Sequence, residues 1–99
     1  MKIYKNPWVS RESYFVKTGK AYTRKQEATA STGYCVQFWD GKWEVSKAQY
    51  YDCTLREMPI VAENKVSIQG VIDKAILNAV LGLVHQNEEE GVQGEISID

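Results

Sequence analysis

The sequence predicts an α+β fold, a short antiparallel β-sheet with one long C-terminal helix packed on it. Two patterns carry this expectation. Around Asp40-Gly41, apolar and polar residues alternate through Tyr34-Cys35-Val36-Gln37-Phe38-Trp39 and again through Trp43-Glu44-Val45. Asp-Gly accommodates the positive φ angles that tight hairpin turns require. From about Ser67 to Val84, the residues Ile68, Val71, Ile72, Ala75, Ile76, Ala79, Val80 and Leu83 recur at i, i+3, i+4 and i+7, the stripe of a helix lying on a sheet. A chain of 99 residues holds one domain with a thin core. Residues 1–85 are assigned to that domain.

The remaining elements follow in chain order. Lys2–Lys5 reads as a short strand stopped at Asn6-Pro7, because proline lacks an N–H and keeps the preceding residue out of the helical region. Tyr14–Lys17 is a second strand, closed by a turn at Thr18-Gly19-Lys20. Thr23–Thr32 is a short helix or a loop: Thr23 and Gln26 fit a capping box and Gly33 a helix stop, but the segment has almost no apolar face. In the hairpin, Tyr34, Val36 and Phe38 share one strand face, and Cys35, Gln37 and Trp39 the other. Ser46 with Gln49 fits a further capping box, which predicts a short helix over Lys47–Asp52. Thr54–Met58 is irregular or a strand, and Ile60-Val61-Ala62 one more strand. Residues 86–99 are expected to form an acidic, disordered tail, in which Glu95–Asp99 alternates briefly enough to add an edge strand.

On the long helix, Leu77, Leu81 and Val84 fall roughly opposite the core stripe at about 100° per residue. A second apolar face needs a cover, and a second copy of the chain is the simplest one. Leu77, Leu81 and Val84 are therefore the expected interface of a homo-oligomer.

The net charge of −1 divides unevenly. Residues 1–25 carry seven basic side chains against Glu12 alone, whereas residues 86–99 carry five acidic ones and no base. Aromatic residues are interleaved with this basic head. Cations attract phosphates and aromatic faces stack on bases, so the segment is the expected ligand site. Arg11 or Arg24 would supply a bidentate phosphate contact, Tyr14 or Tyr22 a stacking surface, and Lys17, Lys20 and Lys25 further positive charge. Trp8, Tyr14 and Phe15 have a competing reading as core aromatics, since a small domain needs its large rings inside. Of Trp39 and Trp43, one is expected in the core and the other partly exposed. The acidic tail is an alternative, internal answer to the basic head.

Chemistry-bearing motifs are sparse. Thr18-Gly19-Lys20-Ala21 lacks both the first glycine and the final Ser/Thr of a P-loop. Cys35 and Cys53 form no CxxC pattern and, with no secretory signal, are expected to be free thiols in a cytoplasmic protein. With His85 they make only three Cys/His residues, too few for an ordinary structural zinc site. Cys35 in its alternating run reads as a small hydrophobe in preference to a nucleophile partnered by His85. Glu44, Asp52 and Glu57 read as exposed charges. No catalytic constellation stands out, so the protein is expected to be a non-enzymatic binder without cofactor or metal, and no apolar run is long enough to span a membrane.

The hairpin from Phe38 to Val45 is similar to those of small SH3-like barrels. In size, absence of catalytic motifs, acidic tail and expected oligomerisation, the chain resembles compact accessory proteins of bacterial viruses. That resemblance implies an anti-defence role, by sequestering a nucleotide signal or blocking a nuclease, and carries over no individual residue. The expected partner is accordingly a phosphate-containing ligand, a nucleotide or nucleic acid. The alternatives are a host protein, inhibited or assembled through the hairpin or tail, and a small enzyme.

Overall fold

The computed structural model describes residues 1–21, 30–90 and 97–98, with side chains described for 1–19 and 30–83. The strands are β1 (Lys2–Lys5), β2 (Ser13–Ala21), β3 (Ala30–Trp39), β4 (Lys42–Tyr51), β5 (Ile60–Ala62) and β6 (Ser97–Ile98). The helices are α1 (Asp52–Leu55), α2 (Lys65–Val71) and α3 (Lys74–Glu90). The sheet order is β5-β1-β2-β3-β4-β6, and every pairing is antiparallel.

The β3–β4 hairpin organises this sheet. Asp40 and Gly41 both take positive φ, 53° and 77°, as a two-residue hairpin turn demands. That turn sets Trp39 opposite Lys42, Phe38 opposite Trp43 and Gln37 opposite Glu44, and the ladder then runs unbroken to Ala30 opposite Tyr51. The helix expected over Lys47–Asp52 does not form. A local capping pattern is worth about 1 kcal/mol, and β3 offers Ser46–Tyr51 a complete set of strand partners instead. Likewise β2 does not turn at Thr18-Gly19-Lys20. It bulges between Lys17 and Gly19 and continues to Ala21. Of the segment read as helix or loop, Ala30–Thr32 is strand and residues 23–29 lie outside the described residues.

The expected fold of a short sheet under one long C-terminal helix is overturned. The sheet is the larger component, and the helical stretch is broken at Ile72-Asp73. Ile72 is extended (φ −123°, ψ 153°), which ends α2 and drops its side chain into the core at 2% exposure. Asp73 then caps α3: its carboxylate accepts from the Ala75 N–H at 2.8 Å, the geometry that satisfies an otherwise unpartnered helical donor. At the start of α2, Asn64 and Ser67 form a reciprocal capping box. Helix α3 continues to Glu90, into the segment expected as tail, and β6 pairs with Val45 and Ser46. Residues 91–96 and 99 of that tail lie outside the described residues.

Ile68, Ile72, Val80 and Leu83 are buried as the stripe requires, but the break shifts the helical phase between Ile72 and Val80. Leu77, expected on the outer face, is fully buried, together with Val80 and Leu83, while Ala75 is exposed. Leu81 is half-buried and packs against the same core. The side chain of Val84 lies outside the described residues. Leu77 faces the sheet and so is not available to the outer interface expected of it.

The sheet has two unlike faces. On the first, Ile3, Tyr14, Val16, Tyr34, Val36 and Val45 meet Ile68, Ile72, Leu77, Val80 and Leu83 in the main core. On the second, Tyr4 and Phe15 pack with Leu55 and Met58, flanked by Ala48 and Tyr50. The segment carrying α1 thus crosses the second face from β4 toward β1. It is tied down where Ser31 donates to Asp52 at 2.9 Å and where the Lys5 N–H donates to the Pro59 carbonyl. Among the described residues, no helix is long and apolar enough to cross a membrane.

Candidate ligand-binding face

Strand alternation and the hairpin register place Ser13, Cys35, Gln37, Trp39, Lys42, Glu44 and Ser46 on the second face, toward the hairpin turn and away from Tyr50. The β1–β2 connection reaches the same end of the sheet, because the Phe38 N–H donates to the Glu12 carbonyl and the Asn6 N–H to that of Ser13. This contact delivers Arg11. Its guanidinium carbon lies 4.7 Å from the centre of the Trp39 ring, and its Nε–H donates to Gln37 Oε1 at 3.2 Å. A guanidinium stacked on an indole gains from cation–π attraction. Here it also leaves both terminal nitrogens of Arg11 without a protein acceptor among the described residues.

Trp39 remains 54% exposed, so the second side of its ring is open to solvent. Gln37 and Glu44 are half-buried neighbours across the hairpin. With Oε1 held by Arg11, the free hydrogen-bonding group of Gln37 is its NH2. Glu44 has no hydrogen-bond or ion-pair partner among the described residues. The cluster thus combines a ring face, a fixed cation, an amide donor and a carboxylate.

Cys35 lies deeper on the same face, its sulfur 4.0 Å from Ser13 Oγ. Burial pushes its thiol up, and the Ser13 hydroxyl and the Arg11 charge only partly offset this. The thiol therefore stays protonated and is a poor nucleophile. Burial also pushes the Tyr50 phenol up, with Cys35 adding to the effect. Both cysteines are free. Among the described residues, no group of three or more His, Cys, Asp or Glu side chains could hold a metal ion.

Of the site residues expected from sequence, Arg11, Tyr14 and Lys17 are described and are dispersed. Arg11 sits in the cluster. Tyr14 is buried on the opposite face, in the main core, and offers no stacking surface; the Lys5 ammonium lies 4.9 Å from its ring centre. Lys17 shares the second face but stands six residues from Arg11, roughly 20 Å in extended chain, opposite Lys2. Lys20 lies in β2, its side chain outside the described residues, as are Tyr22, Arg24 and Lys25 entirely. Phe15 is core, whereas Trp8 is 56% exposed. Trp43 packs on the core and Trp39 does not. The basic head therefore contributes Arg11 to a site whose other members come from the hairpin. Asp40-Gly41 was the available signal: counting outward from a two-residue turn pairs Gln37 with Glu44.

Comparison with known proteins supplies no relative: no family model, no curated protein and no solved structure matches this chain.

Proposed function

We propose that the protein is a non-enzymatic binder of a ligand that joins a nucleobase to a phosphate, held on the hairpin end of the second sheet face. The observation that carries this reading is the Arg11–Trp39 stack. A base packs on the open side of the Trp39 ring, and the terminal nitrogens of Arg11 take the phosphate in a bidentate contact. Such a ligand is a free nucleotide or a residue of a single strand. A protein that holds a nucleotide signal in this way acts by sequestration, the mode implied by the likeness to viral anti-defence proteins.

Isothermal titration with the four ribonucleoside monophosphates and short mixed-sequence oligoribonucleotides tests this reading. Binding should weaken as salt rises, and Arg11→Glu and Trp39→Ala should abolish it with the β-sheet circular dichroism unchanged. Absence of binding to every probe at low salt, or affinity indifferent to both substitutions, overturns it.

A second reading rests on a separate observation. Phe38 is 40% exposed, and with Trp8 and Trp39 it puts three large exposed aromatic rings on the hairpin and the β1–β2 connection. Tryptophan with arginine is the composition of a protein-interface hot spot. Contact with a protein partner through this end would be lost on Phe38→Ala, whereas nucleotide binding on the other face of the hairpin would not.

A further inference from the structure

Resting on the nucleotide-binding reading, we infer that the face selects guanine among the bases, through the adjacent side chains of Gln37 and Glu44. The argument begins with register. Gln37 and Glu44 stand directly opposite each other across β3 and β4, on the face that carries Trp39. Directly opposed residues hold their β-carbons about 5 Å apart, and diagonal neighbours such as Trp39 and Glu44 lie within reach of long side chains. A base stacked on Trp39 therefore presents its hydrogen-bonding edge to this pair.

The polarity of the pair is set by the protein. Arg11 Nε–H occupies Gln37 Oε1, which orients the amide and turns its NH2 into the group available for a ligand. Glu44, ionised, only accepts, and it has no partner among the described residues. Side by side they offer one donor next to two acceptors.

Guanine has the complementary edge. Its O6 accepts, and the neighbouring N1–H and N2–H2 both donate, at a spacing that matches the two oxygens of a carboxylate. Gln37 gives to O6 while Glu44 takes N1–H and N2–H2. Adenine offers one donor beside the acceptor N1, which faces the carboxylate lone pairs. Cytosine likewise sets its amino group beside the acceptor N3, and uracil has a single N–H between two carbonyls. Only guanine satisfies the carboxylate twice, and leaving a half-desolvated carboxylate unpaired disfavours the other three. The ligand source, free guanine nucleotide or guanosine within a strand, shares this chemistry.

The test is titration of the whole protein with guanosine, inosine, adenosine, cytidine and uridine monophosphates, and of Glu44→Gln with the same set. Guanosine monophosphate should bind about 10- to 100-fold more tightly than the adenosine, cytidine and uridine forms, as expected for one bidentate pair. Inosine monophosphate, which lacks the N2 amino group, should fall between. Glu44→Gln should remove the preference, bringing the affinity for guanosine monophosphate down to that for the other nucleotides. Equal affinities for all five nucleotides in the wild type would overturn guanine selection while nucleotide binding itself stood; no binding at all would remove both. A preference that survives Glu44→Gln would also overturn the assignment. A uridine pentanucleotide with one central guanosine then separates the sources. Affinity well above that of the mononucleotide identifies a strand, and equal affinity a free nucleotide, each in keeping with guanine selection.

Discussion

Gly33 on β3 lies so close to Val16 on β2 that a β-carbon built on it would sit 1.9 Å from the Val16 carbonyl oxygen and 2.8 Å from its carbonyl carbon. The approach accompanies the bulge at Thr18, whose hydroxyl donates to the Thr32 carbonyl at 3.3 Å. A glycine in a strand interior marks this kind of close backbone contact. Because the obstructing atoms are backbone, no rotamer change relieves the clash. Gly33→Ala should therefore lower stability by about 2–4 kcal/mol, read as a fall in the urea midpoint. A neutral effect would mean that the two strands are not in this register.

Leu77 and Leu81 separate the observed packing of α3 from the packing that unbroken periodicity implies. Leu77 is fully buried and Leu81 half-buried. Leu77→Ala should cost about 2–5 kcal/mol, the range for emptying a filled core site, and Leu81→Ala clearly less. The reverse order in chemical denaturation would return Leu77 to an outer face.

The legible parts of this fold were those with strong local chemistry. Asp40-Gly41 announced its hairpin, Asn6-Pro7 ended β1, and Ile60-Val61-Ala62 formed the expected strand. The failures were contests that a distant partner decided. Ser46 and Gln49 carried a helix-capping pattern, but β3 paired the whole of β4. The apolar periodicity from Ile68 to Leu83 looked continuous because Ile68 and Ile72 before the break and Val80 and Leu83 after it are all buried as an unbroken stripe requires, and the shift at Ile72-Asp73 shows in Leu77 turning inward and Ala75 outward. Asp73, a good N-cap residue, was the overlooked sign. At the site, Arg11 was legible from charge, whereas its pairing with Trp39 depends on the β1–β2 connection folding back beside the hairpin. Tyr14 and Lys17 were grouped by sequence proximity, yet strand alternation sends them to opposite faces.

Cys35 predicts a pH dependence. Burial raises its thiol above the ordinary value, and Tyr50 is raised in the same direction. The folded protein therefore holds protons that the unfolded chain releases, so stability is fully present below the unfolded pKa values and declines as pH rises through the thiol and then the phenol range. Cys35→Ala should flatten the first part of this decline in thermal unfolding scans. In the folded wild type at neutral pH, iodoacetamide should alkylate exposed Cys53 well before Cys35. Faster modification of Cys35 would contradict its protonated, half-buried state.

Asp73 offers a test by sign. As the N-cap of α3, its carboxylate accepts from the Ala75 N–H and its carbonyl from the Leu77 N–H. Removing the side chain leaves a helical donor unsatisfied, so Asp73→Ala should destabilise by about 1 kcal/mol, while Asp73→Gly should cost only a few tenths. Were 65–90 one continuous helix, Asp73 would be an interior residue, the sign for alanine would change and the order of the two variants would reverse. Alanine has the better interior propensity and would stabilise by up to about 0.7 kcal/mol, whereas glycine would be the worse of the two substitutions. The order of the two variants in urea unfolding thus reports whether the helix is broken at this residue. Asn64→Ala provides the reference, because Asn64 caps α2 with the same kind of bond to the Ser67 N–H, 2.9 Å long. Losses of similar size at Asn64 and Asp73 would establish two separately capped helices, and with them the phase that turns Leu77 toward the sheet.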